Sequence, residues 1–164
     1  MPEPINDLSI LLRREIEARL AAPLIEALSA EFGRQRVLEI VQGVIIQIAH
    51  QQGAQLAADQ GGCSLAHFTT ALEAWKKGDA MEMEVLEQSA ERFYFNARRC
   101  RYAEMYHALG IPELGRVLSC SRDYALVEGF NPAIHLERTQ TLLEGAPFCD
   151  FRYELHPPAK VDPE

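Results

Sequence analysis

Apolar residues in this chain recur with a helical period as far as about Lys76, and from Met81 onward they alternate with polar ones. A 3.6-residue period buries one stripe of a helix, and a two-residue period buries one face of a strand. The two halves therefore belong to different layers of structure, and helices come first.

In the helical half, Leu8, Leu11, Leu12, Ile16 and Leu20 form a periodic run within a helix expected from about Ile5, with Asn6, Asp7 and Ser9 offering N-cap chemistry. Pro23 is expected to end or kink that helix because it lacks an amide donor. Ile25, Leu28 and Phe32 continue the stripe to a stop at Gly33. A second helix is expected from about Arg34 to Ala58. It is apolar around much of its circumference, which fits a central buried helix or a subunit interface. Gly43 and Gly53 on it would permit close helix packing. After Gln60-Gly61-Gly62, a short amphipathic helix covers Leu65 to Lys76.

In the second half, Met83 and Val85 alternate with acids, and Phe93, Phe95 and Ala97 alternate with Tyr94, Asn96 and Arg98. These read as two strands joined near Gln88 to Glu91. A helix over Tyr102–Leu109 closes at Gly110, and a further one opening at Pro112 carries Leu114, Val117, Leu118 and Tyr124. Ile134 to Leu143 then alternates. Glu144-Gly145-Ala146-Pro147 reads as a hairpin loop and Phe148 to Leu155 as the returning strand, which sets Cys149 opposite Leu142 and Asp150 opposite Thr141. The fold class is α+β: N-terminal helices packed on an antiparallel sheet, with a helical insertion and a C-terminal β-hairpin. Residues 1–156 are expected to form a single domain and 157–164 a flexible proline-rich tail.

A net charge of -8 argues against nucleic acid or an anionic membrane as the partner. No apolar run approaches the roughly 20 residues of a membrane span, and the acidic N-terminus lacks the basic start of a secretory signal. Four widely spaced cysteines do not form a disulfide scaffold, so the expectation is a cytoplasmic protein with reduced thiols and a small-molecule substrate. Phosphate-binding loops, CxxC pairs, HExxH and GxSxG are missing from the sequence, which leaves cysteine, histidine and carboxylate chemistry.

Such residues gather in the second half. Cys120 and Asp123 share a helical face, as do Glu104 and His107, and Cys149-Asp150 opens the last strand. The same hairpin puts Cys149 on the face of Arg138 and Gln140, and Asp150 on that of Thr139 and Arg152. Cys63 and Cys100 read as small core residues. The Glu104 and His107 spacing matches half of a carboxylate-bridged di-iron motif, but the sequence holds no second copy, so a surface or structural pair is the better reading.

Leu118 to Asp123 (LSCSRD), Gly129 to Pro132 (GFNP), Glu137 to Thr141 (ERTQT) and Glu144 to Tyr153 (EGAPFCDFRY), in that order, resemble the L-2-amino-thiazoline-4-carboxylic acid hydrolase family. The arrangement of elements is also similar to vinyl-4-reductase-type small-molecule-binding domains. The first resemblance implies a hydrolase acting on carbon–nitrogen bonds of a cyclic amidine or isothiourea, opening a 2-aminothiazoline ring towards N-carbamoyl-cysteine. It implies roles for Cys120, Asp123, Arg138, Cys149 and Asp150. Cys120 is the first choice of nucleophile and Cys149 the second, Asp123 or Asp150 would bind the amidinium, and Arg138 would bind the substrate carboxylate, with Thr139 beside it. His107 as base and Glu104 as a substrate contact rest on helix geometry alone. Cys120, Asp123 and Cys149 could equally hold a divalent metal ion that activates water. The competing reading is a non-enzymatic small-molecule or metal sensor. In either case the apolar N-terminal helices are candidates for a homodimer interface.

Overall fold

The computed structural model describes residues 8–156. The tail 157–164 and the capping roles of Asn6 and Asp7 lie outside the described residues. Helix α1 spans Ile10–Phe32, and the Ser9 hydroxyl caps it by accepting the Leu12 amide at 3.2 Å. Pro23 sits within α1 without ending it. Its position is exposed, so water can satisfy the carbonyl that the missing amide frees. Gly33, with φ +84°, turns the chain directly into α2, Arg34–Gln60.

Among the described residues the strands are β1 (Met81–Gln88), β2 (Arg92–Cys100), β3 (Ile134–Glu137) and β4 (Cys149–Leu155). They form one antiparallel sheet in the order β1-β2-β4-β3. One face carries Phe93, Phe95, Ala97, Cys149, Phe151 and Tyr153, all buried. Helix α3 (Leu65–Leu72) packs on that face through Leu65, Phe68 and Leu72, and a later helix adds Val127 and Phe130. Phe95 and Phe151 stack at 4.7 Å between centroids, and Phe68 meets Tyr153 edge-on at 5.0 Å. The architecture is α+β, with its core between sheet and helices.

Between β2 and β3 the chain forms α4 (Arg101–Ala108), α5 (Pro112–Gly115) and α6 (Arg122–Phe130). The single helix expected after Pro112 is divided by a π-turn over Arg116–Cys120, where the Ser121 amide bonds back to the Arg116 carbonyl at 3.0 Å. Helix α6 crosses α2 where two glycines let the backbones touch. A Cβ on Gly53 would lie 2.0 Å from the Leu126 oxygen, and one on Gly129 would lie 2.0 Å from the His50 oxygen. Gly43 meets nothing within 4 Å and has no such role.

Two sequence expectations are corrected. β3 stops at Glu137, and Glu137 pairs with Arg152. The expected register is thus displaced by two residues, an even shift that keeps every side chain on its face. Thr141 begins a 3-10 turn over Leu142–Glu144 by accepting the Glu144 amide at 3.3 Å, which removes this stretch from the sheet. The second correction concerns α1. Leu12, Ile16, Leu20, Leu24, Leu28 and Phe32 are exposed, and the buried side is built from Ala18 and Ile25. On α2, Ile40, Val44 and Ile48 are exposed as well, so α2 is not buried all round.

Candidate functional site

A cavity of about 460 Å³ opens between α1, the C-terminal half of α2, the π-turn, α6 and the buried sheet face. Its lining includes Cys100, Cys120, Cys149, Asp123 and Arg138. Of the residues expected to act, Cys120, Asp123, Cys149 and Arg138 are therefore brought together, although they lie on three separate segments.

Local structure explains each position. The π-turn ends at Cys120, whose carbonyl accepts from Arg138 Nη2 at 3.0 Å, and the Ser121 hydroxyl donates to the Val117 carbonyl inside the turn at 2.7 Å. Arg138 Nη1 pairs with Asp123 Oδ2, and its guanidinium plane lies 5.0 Å from the Phe151 ring. The Arg138 side chain is 6% exposed and that of Asp123 17%. Burial pushes the Asp123 carboxyl above its ordinary range, and Arg138 opposes this only in part. Burial works against the Arg138 charge too, yet Asp123 more than restores it. Arg138 is thus committed to Asp123 and to a backbone carbonyl, where the sequence suggested a substrate carboxylate.

The three thiols are held protonated at neutral pH. Burial raises Cys100 to about 11 despite support from the Ala103 and Tyr102 amides at the start of α4. Cys120 is raised by burial and then by the Asp123 charge. Cys149 is raised by burial, although its Sγ accepts the Leu142 amide at 3.2 Å. Cys100 packs against the core as expected and also lines the cavity. Cys63, expected in the core, is exposed, and its backbone carbonyl accepts from Asn131 Nδ2 at 2.8 Å.

The remaining expected residues lie elsewhere. His107 is exposed on α4, with Nε2 3.1 Å from the Leu143 carbonyl oxygen. Glu104 is exposed and bound to Arg99 at 2.7 Å. Asp150 accepts from the amides of Thr139 and Gln140 at 3.0 and 2.9 Å and from the Thr139 hydroxyl at 2.6 Å. Burial would raise Asp150, but these donors win and hold it below its ordinary value. Asp150 and Thr139 thereby fix the segment that presents Arg138. Thr139 also borders a second hollow of about 380 Å³ that shares Cys120 and Arg138 with the first. As a metal set, Cys120, Asp123 and Cys149 do not assemble: among the described residues no group of three or more His, Cys, Asp or Glu is placed to hold an ion.

Sequence reasoning missed Arg14, Arg122 and Tyr106, which also line the cavity. Arg122 stood within LSCSRD unremarked. Arg14 falls at helical spacing with Leu11, Ala18 and Ile25, a charge on the stripe that proves to face inward.

The family model described as L-2-amino-thiazoline-4-carboxylic acid hydrolase matches residues 13–153. No curated protein matches the chain in sequence. Among solved structures, the chain is similar to a trafficking protein particle complex subunit 3 from Naegleria fowleri, covalently bound to palmitic acid. That likeness has TM-score 0.52 and 12% identity, covering 88% of this chain and 95% of that one. The phenol-responsive sensory domain of the transcription activator PoxR, solved with phenol, is similar with TM-score 0.53 and 10% identity over 84% of this chain and 73% of that one. At such identities the likeness is one of fold.

Proposed function

Because the chain belongs to the L-2-amino-thiazoline-4-carboxylic acid hydrolase family, we propose that its cavity is a hydrolase active site that opens a small cyclic amidine or isothiourea. The observation that carries this reading is the Asp123–Arg138 pair, set into a cavity wall that also bears three protonated thiols. A protonated ring amidine presents N–H groups and positive charge, and Asp123 offers the complementary oxygens.

Hydrolysis adds one water. Its oxygen bonds to the ring carbon between nitrogen and sulfur, the ring C–S bond breaks, and an all-nitrogen ring would break C–N instead. The ring nitrogen of the protonated amidine already carries its proton, so of the two water protons one ends on the departing atom and the other is released to solvent when the carbonyl forms. Asp123, raised by burial, takes the first from the attacking water as general base, with Arg138 holding its orientation. Cys120, protonated beside Arg138, protonates the departing atom and is restored by the proton on Asp123. High thiol pKa values argue against attack by a resting thiolate. Incubating the protein with L-2-amino-thiazoline-4-carboxylate and following thiol release tests the proposal. Turnover lost in Asp123→Asn supports it, and wild type without turnover sinks it.

A second reading is a small-molecule sensor, favoured by the position of His107 outside the cavity, whose lining among the described residues holds no imidazole beside the thiols. It predicts saturable binding without turnover.

The partner on α1 and α2 is proposed to be a second copy. Leu12, Ile16, Leu20, Leu24, Leu28 and Phe32 form an exposed i, i+4 ridge along a 23-residue helix, roughly 35 Å long at 1.5 Å per residue. Ile40, Val44 and Ile48 extend it on α2. Monomers rarely expose continuous apolar surface on that scale.

A further inference from the structure

The cavity has a second charged pole with no assigned role. Arg122, its side chain 8% exposed, donates through Nε to the Leu118 carbonyl at 2.8 Å, through Nη1 to Gln52 at 3.2 Å and through Nη2 to Glu17 at 3.4 Å. Arg14 holds both oxygens of the same Glu17 at 2.8 Å. Two guanidinium groups thus share one half-exposed carboxylate. Burial, and then the charge of Arg14, lower Arg122 to about 10 against the pull of Glu17. Tyr106 stands next to them on α4. It is 1% exposed, and its hydroxyl has no hydrogen-bond partner among the described residues. Burial raises its phenol to about 12, opposed in part by the charge of Arg14, by the nearby Ser119 side chain and by the charge of Arg122. A buried hydroxyl donor left unmatched beside uncompensated cations is costly unless an acceptor arrives. The lining's other acids are already engaged: Asp123 by Arg138, and exposed Asp59 by Gln55 at 2.7 Å.

We infer that Arg14, Arg122 and the Tyr106 hydroxyl form a carboxylate-binding subsite, so that the cavity takes a ligand with a carboxylate at this pole and a cationic or polar group at Asp123. Arg13, whose buried Nε has no hydrogen-bond partner among the described residues, adds positive charge to the same lining, and Leu56 and Trp75 make the neighbouring wall apolar, which suits the carboxylate of a ligand with an apolar body. The inference rests on the hydrolase reading only for the identity of the ligand's other end.

The test uses calorimetric titration with L-2-amino-thiazoline-4-carboxylate, its carboxyl-free parent 2-amino-2-thiazoline, and benzoate against benzamide as probes independent of any reaction. Tyr106→Phe removes only the unpartnered hydroxyl and should leave the melting temperature unchanged. Arg14→Gln removes one cation. Expected are benzoate binding in preference to benzamide, and a loss of about tenfold or more in carboxylate affinity in each variant, as for a hydrogen bond to a charged group. Equal binding of benzoate and benzamide, no benzoate binding, or unchanged affinity in both variants would overturn the subsite. Arg14-dependent benzoate binding without turnover retains the subsite and removes the hydrolase reading. Turnover with unchanged KM in both variants does the reverse.

Discussion

Arg138, just beyond the end of β3, and Asp123, in the first turn of α6, form a buried ion pair that ties sheet to helix at the cavity wall. Replacing one partner leaves the other charge buried alone. Asp123→Asn or Arg138→Met should each cost roughly 3–5 kcal/mol, and the double variant clearly less than the sum. Urea unfolding of the four proteins measures this. Additive losses would mean that the two charges do not interact.

Thiol reactivity should divide by position. At pH 7.5 iodoacetamide is expected to modify exposed Cys63 first, with Cys100, Cys120 and Cys149 slow. Cys100 should accelerate as pH climbs towards its value of about 11. Because the folded pKa of these thiols is raised, their contribution to stability is complete below the unfolded value and is lost as pH rises through the folded one. Mass spectrometry of labelled peptides reads the order, and a cavity thiol modified before Cys63 would contradict it.

The glycines of α2 should differ in sign. Gly53→Ala drives a methyl into the backbone of α6 and should cost about 1–3 kcal/mol or more. Gly43→Ala meets open space on the same helix and should gain up to roughly 1 kcal/mol. Thermal melts of both decide whether the α2–α6 approach is as close as it is here.

Asp150 carries an acid-side dependence. Its folded pKa is depressed by Thr139 and Gln140, so its stabilisation is present above the unfolded carboxyl value and disappears as pH falls through the folded one. Asp150→Asn should be less stable than wild type at pH 7 and should lose less on acidification to pH 3. Parallel melting curves would deny Asp150 this role.

The exposed ridge on α1 predicts dimers. Light scattering after size exclusion should give twice the chain mass for wild type, and Leu20→Glu with Leu24→Glu should give monomers that retain their helical signal. A monomeric wild type would show that a second copy does not cover the ridge.

Much of this was legible in the residues. The change of period at Met81 separates helices from sheet, and the ordered fragments from Leu118 to Tyr153 identify the family. Cys120, Asp123, Arg138 and Cys149 follow from those fragments. What periodicity cannot say is which of two apolar stripes on α1 faces inward. Leu12, Ile16 and Leu20 look like core, but the inner face is small and carries Arg14, because a cavity lies behind it. The π-turn at Cys120 has no local signature in the sequence either. Cys100 reads as core from its neighbours, and only the fold shows it opening onto the cavity. Thr139 and Asp150 sit side by side as expected, yet they hold a backbone turn.

The most direct measurement of the central claim is thiol release from L-2-amino-thiazoline-4-carboxylate by wild type and by Asp123→Asn, each first shown to be folded. The account predicts turnover by wild type and a loss of about a hundredfold or more in kcat for the variant, as expected when a general base is removed. Equal rates in the two proteins would contradict it.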